Sequence, residues 1–262
     1  MTPTTPMHLS RLVQISDLHL YAEASGTLDG MNCAAGLRAV LQAIRANEPA
    51  LAGILCTGDL SQDESLASYH HLGQALDALR TPYYWLPGNH DSLSAMHAAR
   101  GIAHPCFARA FSLPGWRVIL LNSAVAGVSH GELCAAELAA LDAELAQGSE
   151  ALVICLHHHP VPTQAPWLQR HALRNPEALF ARLDACPRVR LVLFGHIHHE
   201  FEHRRNGVLY LGAPATSVQF APVSEDFALD TLGPGYRWLE LCADGNFTSG
   251  VRRVVDLSSN GH

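Results

Sequence analysis

The segment Leu193-Phe194-Gly195-His196-Ile197-His198 ends a run of apolar residues with a glycine and two histidines. In an extended segment residues i and i+2 point to the same side, so His196 and His198 can direct two imidazoles into one space. Two imidazoles so placed form the beginning of a metal site. The pair alone is weak evidence, because a chain with 17 histidines produces this spacing by chance. Its meaning depends on which other residues reach the same place.

Four other apolar runs end in polar residues of the same kind. The runs 12–16, 51–56, 83–86 and 152–156 are followed, in that order, by Asp17 and His19, by Gly58-Asp59, by Gly88-Asn89-His90-Asp91, and by His157-His158-His159. In α/β sheets the ligand lies beyond the carboxyl ends of the strands, and each cluster falls at such an end. We therefore expect five segments, distant in sequence, to contribute to one site.

Apolar spacing predicts alternating strands and helices in the first part of the chain. Helices are predicted at 32–47 and 64–79, each between two of the apolar strands. This β-α-β-α-β order is typical of a largely parallel sheet with helices on its faces. Further along, we predict short helix and loop at 92–111, strands at 116–122, 151–156 and 189–194, helices at 132–147 and 176–185, and a long irregular segment at 160–175.

Beyond His199 the sequence changes to short strands and turns. Asn206-Gly207 predicts a hairpin between strands 201–205 and 208–211. A second turn at 243–246 separates the predicted strands 236–241 and 247–255, so we expect a mainly antiparallel C-terminal third.

Composition narrows the class of protein. The 262 residues suit one domain, 1–262, with a loose lead-in at 1–9 and a frayed tail at 258–262. A formal charge of −7 without a basic block makes long nucleic acid a poor partner, although bound metal ions can still attract a small anionic substrate. Seven cysteines without a C-x-x-C motif suggest a reduced cytoplasm. A secretion signal and a membrane-spanning segment are not expected.

The five clusters supply side chains with oxygen and nitrogen ligands and no thiolate. They are Asp17, His19, Asp59, Asn89, one histidine of His157, His158 and His159, His196, and His198. Such a set suits Fe, Mn, Zn or Co better than Mg. Seven side chains are too many for one tetrahedral ion, but they fill two adjacent sites if one carboxylate bridges.

The series Asp17-x-His19, Gly58-Asp59, Gly88 to Asp91, His157 and Gly195-His196-x-His198 resembles the five-part signature of calcineurin-like metallophosphoesterases. The parts occur in the same order, each after a predicted strand. Segments 156–160, 167–175, 227–230 and 235–238 resemble bacterial class III 3′,5′-cyclic AMP phosphodiesterases, and this likeness covers most of the chain. The resemblance implies a mixed α/β fold, a four-layer αββα sandwich of two facing mixed sheets.

The resemblance also implies a ligand set and a reaction. One metal would be held by Asp17, His19, Asp59 and His198, and the second by Asp59, Asn89, His157 and His196, with Asp59 as the bridge. Two divalent ions are implied, with Fe or Mn favoured and Zn or Co as alternatives. Such a pair converts a bridging water to hydroxide, which would open the cyclic phosphodiester of cAMP to give 5′-AMP. His90 would act as general acid towards the leaving ribose oxygen.

Two features of the implied site are open. In related enzymes the acid is paired with an aspartate three residues after the bridging one, but Gln62 stands there, which leaves Asp63 and Asp91 as candidates. His158 or His159 is an alternative to His157 as ligand. Selectivity must come from outside the metal ligands. Substrate contacts are expected from His19, Asp59, Asn89, His90 and His198 at the phosphate, and from Trp167 and Arg174 or Asn175 at the base or ribose, with the region of Gln219 and Phe220 as the alternative.

Other functions are compatible with parts of this pattern. The same scaffold could act on other phosphodiesters or on phosphomonoesters. A binding module without catalysis is disfavoured, because Asp17, Asn89 and His90 are all present and an inactive scaffold has no need of the acid. In the cyclic-nucleotide interpretation Trp167 stacks on a purine, whereas in the alternative it only packs the loop onto the core.

Overall fold

Two β-sheets face each other between layers of helices in this computed structural model, which describes residues 8–254. Its first half contains β1 (Leu9–Ile15), β2 (Thr27–Leu28), β3 (Met31–Asn32), α1 (Cys33–Asn47), β4 (Leu51–Thr57), α2 (Leu66–Asp77), β5 (Tyr83–Leu86), α3 (Leu93–Arg100), a 3₁₀ helix (Pro105–Phe107), β6 (Ala110–Leu113) and β7 (Trp116–Leu120). Its second half contains α4 (Ala135–Leu145), β8 (Ala151–Cys155), a 3₁₀ helix (Pro166–His171), α5 (Pro176–Asp184), β9 (Val189–Phe194), β10 (Phe201–Arg205), β11 (Val208–Gly212), β12 (Gln219–Phe220), β13 (Leu229–Asp230), β14 (Gly235–Cys242) and β15 (Phe247–Arg253). Most of the predicted lead-in and the whole predicted tail lie outside the described residues.

The first sheet has the strand order β15-β14-β1-β4-β5. Strands β1, β4 and β5 are parallel, as the β-α-β-α-β pattern predicts. The C-terminal hairpin of β14 and β15 joins this sheet antiparallel to β1. The chain therefore returns at its end to the strand that carries the first polar cluster.

The second sheet has the order β10-β11-β9-β8-β7-β6, and its four inner strands are parallel. The predicted hairpin of β10 and β11 is present, and the expectation of a mainly antiparallel C-terminal third is confirmed by the pairs β10–β11, β12–β13 and β14–β15. The exception is β11, which also runs parallel to β9. Burial explains the difference. Strand β11 is buried throughout and takes the place beside β9, while the polar strand β10 forms the edge.

Alternate residues of the strands point to different layers. Leu12 belongs to the cluster between the sheets, together with Leu193 from the second sheet, whereas Val13 packs against α1 and α2 on the outer face. On the other side, Ile154 packs against α4 and α5. The predicted αββα sandwich is therefore confirmed.

Several short elements escape the sequence patterns. Strand β6 begins at the end of the segment 92–111 predicted as helix and loop, and the 3₁₀ helix Pro166–His171 lies in the segment predicted as irregular. The pairs β2–β3 and β12–β13 have two residues per strand, too few to show a periodicity. Among the described residues, no helix combines the length and apolarity that a bilayer crossing requires.

Candidate metal centre

The predicted polar clusters meet at the carboxyl ends of β1, β4, β5, β8 and β9. The first two loops are joined through their main chains, since the amides of Leu18 and His19 both donate to the carbonyl of Asp59, at 2.8 and 2.9 Å. A cavity of about 260 Å³ opens here. Its lining includes His19, Asp59, Asn89, His90, His196 and His198.

Five of the candidate ligands have a left-handed backbone, which is uncommon outside glycine. They are Asp17 (φ 54°), His19 (49°), Asp59 (50°), His196 (71°) and His198 (50°). Each such residue costs about 1–3 kcal/mol and persists only where its surroundings hold it, and such residues gather at functional sites. Asp17 and His196 stabilise each other in this way, because both carboxylate oxygens of Asp17 accept from the amide of His196 at 3.0 Å.

Two glycines allow the loops to approach this closely. A Cβ at Gly88 would overlap the Asp59 carboxylate, and a Cβ at Gly195 would overlap the Ser16 hydroxyl beside Asp17. The glycines of the sequence motifs therefore make room for the carboxylates.

Asp17, His19, Asp59 and His198, hereafter the carboxylate cluster, have ligand atoms within 4.8 Å of one another. All four side chains are buried. Asp17 Oδ1 lies 3.4 Å from His198 Nε2, and Asp59 Oδ2 lies 3.8 Å from His19 Nε2. Two carboxylates and two imidazoles thus share one small, water-poor space.

The hydrogen bonds of the two histidines decide which nitrogen faces the cluster. His198 Nδ1 donates to the carbonyl of Val218 at 2.9 Å, and His19 Nδ1 donates to Gln62 Oε1 at 2.6 Å. In a neutral imidazole the other nitrogen then carries a lone pair. The two Nε2 atoms lie 3.2 Å apart, so two lone pairs face each other. Such an arrangement requires a cation or a shared proton.

His157, His158 and His196, hereafter the histidine cluster, also have ligand atoms within 4.8 Å. His157 Nδ1 donates to the carbonyl of Thr57 at 2.8 Å, a partner that orients its Nε2 as a ligand. That Nε2 lies 3.3 Å from Asp59 Oδ2 and 3.2 Å from His196 Nδ1. Asp59 of the carboxylate cluster therefore also contacts the histidine cluster.

Several potential ligand atoms around the histidine cluster have no hydrogen-bond partner within residues 8–254. They are His158 Nε2 and His196 Nε2 of the cluster itself and Asn89 Oδ1, whose residue lines the cavity together with His196, and all three atoms are buried. Buried polar atoms are normally satisfied, so three unpartnered atoms at one place point to a missing group. His158 Nδ1 pairs with Ser123 Oγ at 2.8 Å, while both ring nitrogens of His159 are buried without a partner and belong to neither cluster.

The electrostatics also favour bound cations. The chain contains no lysine, and no arginine lines the cavity. Burial would raise the pKa of the Asp59 carboxyl, but His157 holds that pKa well below its usual range. Burial would lower the pKa of His157, yet the Asp59 carboxylate raises it to about 9, so a positive charge, whether a proton or a metal ion, is favoured between these two side chains. Burial lowers the pKa of His19 to about 4, which keeps it neutral as a metal ligand must be. The residues present therefore fit metal ions.

His90 lines the cavity beside the carboxylate cluster. Its main-chain amide donates to Asp59 Oδ1 at 2.9 Å, and its ring lies edge-on to that of His19, with 5.1 Å between the centroids. The hydrogen bond to the Asp59 carboxylate thus fixes the position of the His90 main chain.

Neither aspartate considered as a partner of His90 forms a hydrogen bond to it within the described part of the chain. Asp63 is exposed and accepts from the amides of Ala22, at 2.8 Å, and Ser65, at 3.1 Å. Asp91 accepts from the amides of Leu60, Ser61 and Gly88 and from the Tyr69 hydroxyl. Both carboxylates support loops in this structure, and the side chain of Gln62 accepts a hydrogen bond from His19.

The segment 160–175 contributes to the cavity as expected, but not with every residue. Trp167 lines it, and Arg174 is exposed at a wider opening that shares Asn89 and His90 with it. Asn175 is unsuited to contact a substrate, because its side-chain amide donates to and accepts from the main chain of Leu133, at 2.8 and 3.0 Å.

Other contacts were not predicted from the sequence. Ser123 beside His158 and the carbonyls of Thr57 and Val218 have no sequence signal, because any residue supplies a carbonyl. Phe220, which the sequence suggested only as an alternative, stacks on the His198 ring at 3.9 Å between centroids.

Comparison with known proteins agrees with this geometry. Residues 10–200 match the family model of calcineurin-like phosphoesterases. The chain is 43% identical over 248 residues to the 3′,5′-cyclic adenosine monophosphate phosphodiesterase CpdA of Escherichia coli (strain K12), covering 94% of this chain and 90% of the relative. It is 41% identical over 257 residues to CpdA of Pseudomonas aeruginosa, covering 98% and 94%. A dimetal phosphatase from Danio rerio shares the fold, with a TM-score of 0.63 at 17% identity, covering 94% of this chain and 99% of that one. The chain therefore belongs to the calcineurin-like phosphoesterase family.

Proposed function

We propose that this protein is a metal-dependent phosphodiesterase that hydrolyses 3′,5′-cyclic AMP to 5′-AMP. The assignment of cAMP as the substrate is supported by relatives named as cyclic AMP phosphodiesterases, which are 41–43% identical over nearly the whole chain. One observation supports the proposed metal dependence: imidazole nitrogens with lone pairs and buried carboxylates meet around Asp59.

The ligands form two overlapping sets in this proposal. Asp17, His19, Asp59 and His198 would hold one divalent ion, and Asp59, Asn89, His157 and His196 would hold the second. Fe or Mn is favoured, with Zn or Co as alternatives, because the ligands are imidazoles and oxygens. When bound, such ions supply Lewis-acid polarisation of the phosphoryl oxygens and generate hydroxide from water near neutral pH.

The protein's own residues orient the substrate and handle the proton. His90 lies at the cavity wall, held by its amide bond to Asp59, and is assigned the proton transfer to the departing 3′ oxygen of the ribose. The phosphate of the substrate is assigned to the space between five side chains, those of His19, Asp59, Asn89, His90 and His198. Trp167 and Arg174 are assigned to the base or ribose.

The chain is proposed to act as a single domain in a reducing compartment. All seven cysteines are free thiols, which fits the cytoplasm. A small phosphoester is the proposed partner, and long nucleic acid is not, since the net charge is −7.

The test is a substrate panel with protein purified in the presence of Mn²⁺ or Fe²⁺. Release of 5′-AMP from cAMP, abolished by a chelator and restored by metal, is the expected result. Hydrolysis of 4-nitrophenyl phosphate or of linear diesters without release of 5′-AMP from cAMP would contradict the proposed substrate and favour a phosphoesterase of other specificity.

A further inference from the structure

Three aromatic side chains form one wall of the cavity beside the candidate metal centre. The ring centroids of Trp167, Phe220 and Phe227 lie 5.3–5.4 Å apart in each pair, with interplanar angles of 65–83°. These are edge-to-face contacts, the geometry that aromatic pairs prefer. All three residues line the cavity. We refer to Trp167, Phe220 and Phe227 as the aromatic wall.

The inner end of the aromatic wall is fixed to the metal-binding loops. Phe220 stacks on the His198 ring, with 3.9 Å between centroids and an interplanar angle of 4°, and its amide donates to the carbonyl of His198 at 3.2 Å. Just before it, the Ser217 hydroxyl donates to the carbonyl of Asp17 at 2.7 Å. The apolar surface of the aromatic wall therefore begins in direct contact with the candidate ligand His198.

The outer end of the aromatic wall is carried by a short hairpin. Phe227 lies between β12 and β13, where the amide of Ala221 donates to the carbonyl of Ala228 at 2.9 Å. The side chain of Phe227 is 53% exposed although it contacts both other rings. Burying such a ring requires an apolar surface to cover it, and an exposed ring at the rim of a cavity offers that surface to a ligand.

The chemistry of the two ends of the cavity differs. Carboxylates and imidazoles at the inner end suit a phosphate and its metal ions, which every phosphoester can provide. Rings at the other end suit a flat apolar group joined to that phosphate by a short linker. A nucleobase joined through ribose meets this description, and stacking on aromatic side chains tolerates any base because every base has a π-face.

We infer that Phe220 and Phe227, together with Trp167, form a base-binding subsite in which Phe227 is a specificity-determining residue for nucleotide over non-nucleotide phosphoesters. This inference rests on the proposed function, whose site it extends. Phe220 stacks on His198, whereas the ring contacts of Phe227 are with Trp167 and Phe220. Substitution of Phe227 therefore isolates base binding.

The experiment measures binding rather than turnover. Isothermal titration of the metal-loaded protein with 5′-AMP and with ribose 5-phosphate gives the base contribution as the ratio of the two Kd values. In Phe227→Ala the Kd for 5′-AMP should rise about tenfold, the usual effect of losing one stacking contact, while the Kd for ribose 5-phosphate should stay unchanged. Phe227→Tyr should restore tight binding of 5′-AMP. Val223→Ala, on the same hairpin with 69% exposure and outside the cavity lining, is the matched control.

Two results would overturn the inference. One is a wild-type protein that binds ribose 5-phosphate as tightly as 5′-AMP, and the other is an equal loss for both ligands in Phe227→Ala. Failure of the proposed function has a different signature. In that case the Phe227-dependent preference for 5′-AMP remains, but the protein releases no 5′-AMP from cAMP.

Discussion

The carboxylate cluster and the histidine cluster lie side by side, yet they are built from different ligands. The carboxylate cluster contains two buried aspartates, whereas the histidine cluster contains three imidazoles and no carboxylate of its own. The carboxylate nearest to an imidazole of the histidine cluster is that of Asp59, whose Oδ2 lies 3.3 Å from His157 Nε2. The second cluster thus depends on the first for charge balance, and a change at Asp59 should affect both.

The largest effect is expected for Asp59→Asn, which keeps the shape of the side chain and removes its charge. Both clusters should lose tightly bound metal, and turnover should fall below detection. Metal analysis after dialysis, together with kcat on cAMP, measures this. Asp17→Asn is the matched comparison, because it should weaken the carboxylate cluster but leave one ion at the histidine cluster, since the remaining carbonyl oxygen can still accept from the amide of His196. Two tightly bound ions in Asp59→Asn would refute the shared role.

A smaller loss is expected for His90→Ala, since His90 contacts Asp59 only through its main chain. Both ions should remain, and kcat on cAMP should fall about 10²–10⁴-fold, the usual contribution of general acid catalysis. A diester with a nitrophenol leaving group should lose much less, because that group departs without protonation. Equal losses on both substrates would show that His90 is not the acid.

Asp63→Asn tests whether Asp63 takes part in catalysis or only supports its loop, measured as kcat on cAMP. Asp63 accepts main-chain hydrogen bonds, so we expect kcat near that of the wild type and a loss of about 1 kcal/mol in the free energy of unfolding. A loss of kcat that matches His90→Ala would instead make Asp63 the partner of His90.

The histidine cluster can be tested by comparing His157→Ala with His158→Ala. His157 points its free nitrogen at Asp59, so its removal should release the second ion. His158 is held by Ser123, and its removal should weaken that ion only about 10- to 100-fold if it acts by supporting the ligands. Metal titration after chelation measures both affinities, and the reverse order would make His158 the ligand.

The smallest effect is expected for Arg174→Ala, which lies outside both clusters and is exposed. KM for cAMP should rise about fivefold, as for the loss of one exposed charge interaction, with kcat unchanged. Trp167→Ala should raise KM for cAMP about tenfold, since it removes a stacking contact with the base. A cyclic phosphodiester without a base should show little change in either variant, and an equal loss on both substrates would mean that the segment supports the fold.

Much of the fold follows from local patterns. The strands at 51–57 and 151–155 are visible in the sequence because burial on both faces gives a continuous apolar run of strand length. The helix α1 is visible because its buried face imposes a period of 3.6 residues. Asn32 accepts from the amide of Ala35 at 2.7 Å and so caps α1, within one residue of the predicted start. Strand β6 and the hairpin that carries Phe227 have no such signal, because their partners and the cavity define them.

The site shows the same division. The sequence determined the types of candidate ligand and their order, because each polar group directly follows an apolar strand and the strand ends of a sandwich meet at one edge. The hydrogen bonds of Asp63, Gln62 and Asn175 depend on the paths of loops, since each side chain bonds main-chain or side-chain atoms that are distant in sequence. Only the tertiary structure decided which nitrogen of each imidazole faces the site. The carbonyls of Thr57 and Val218, 100 and 20 residues from their histidines, fix that choice by accepting one N–H and leaving the other nitrogen as a lone pair.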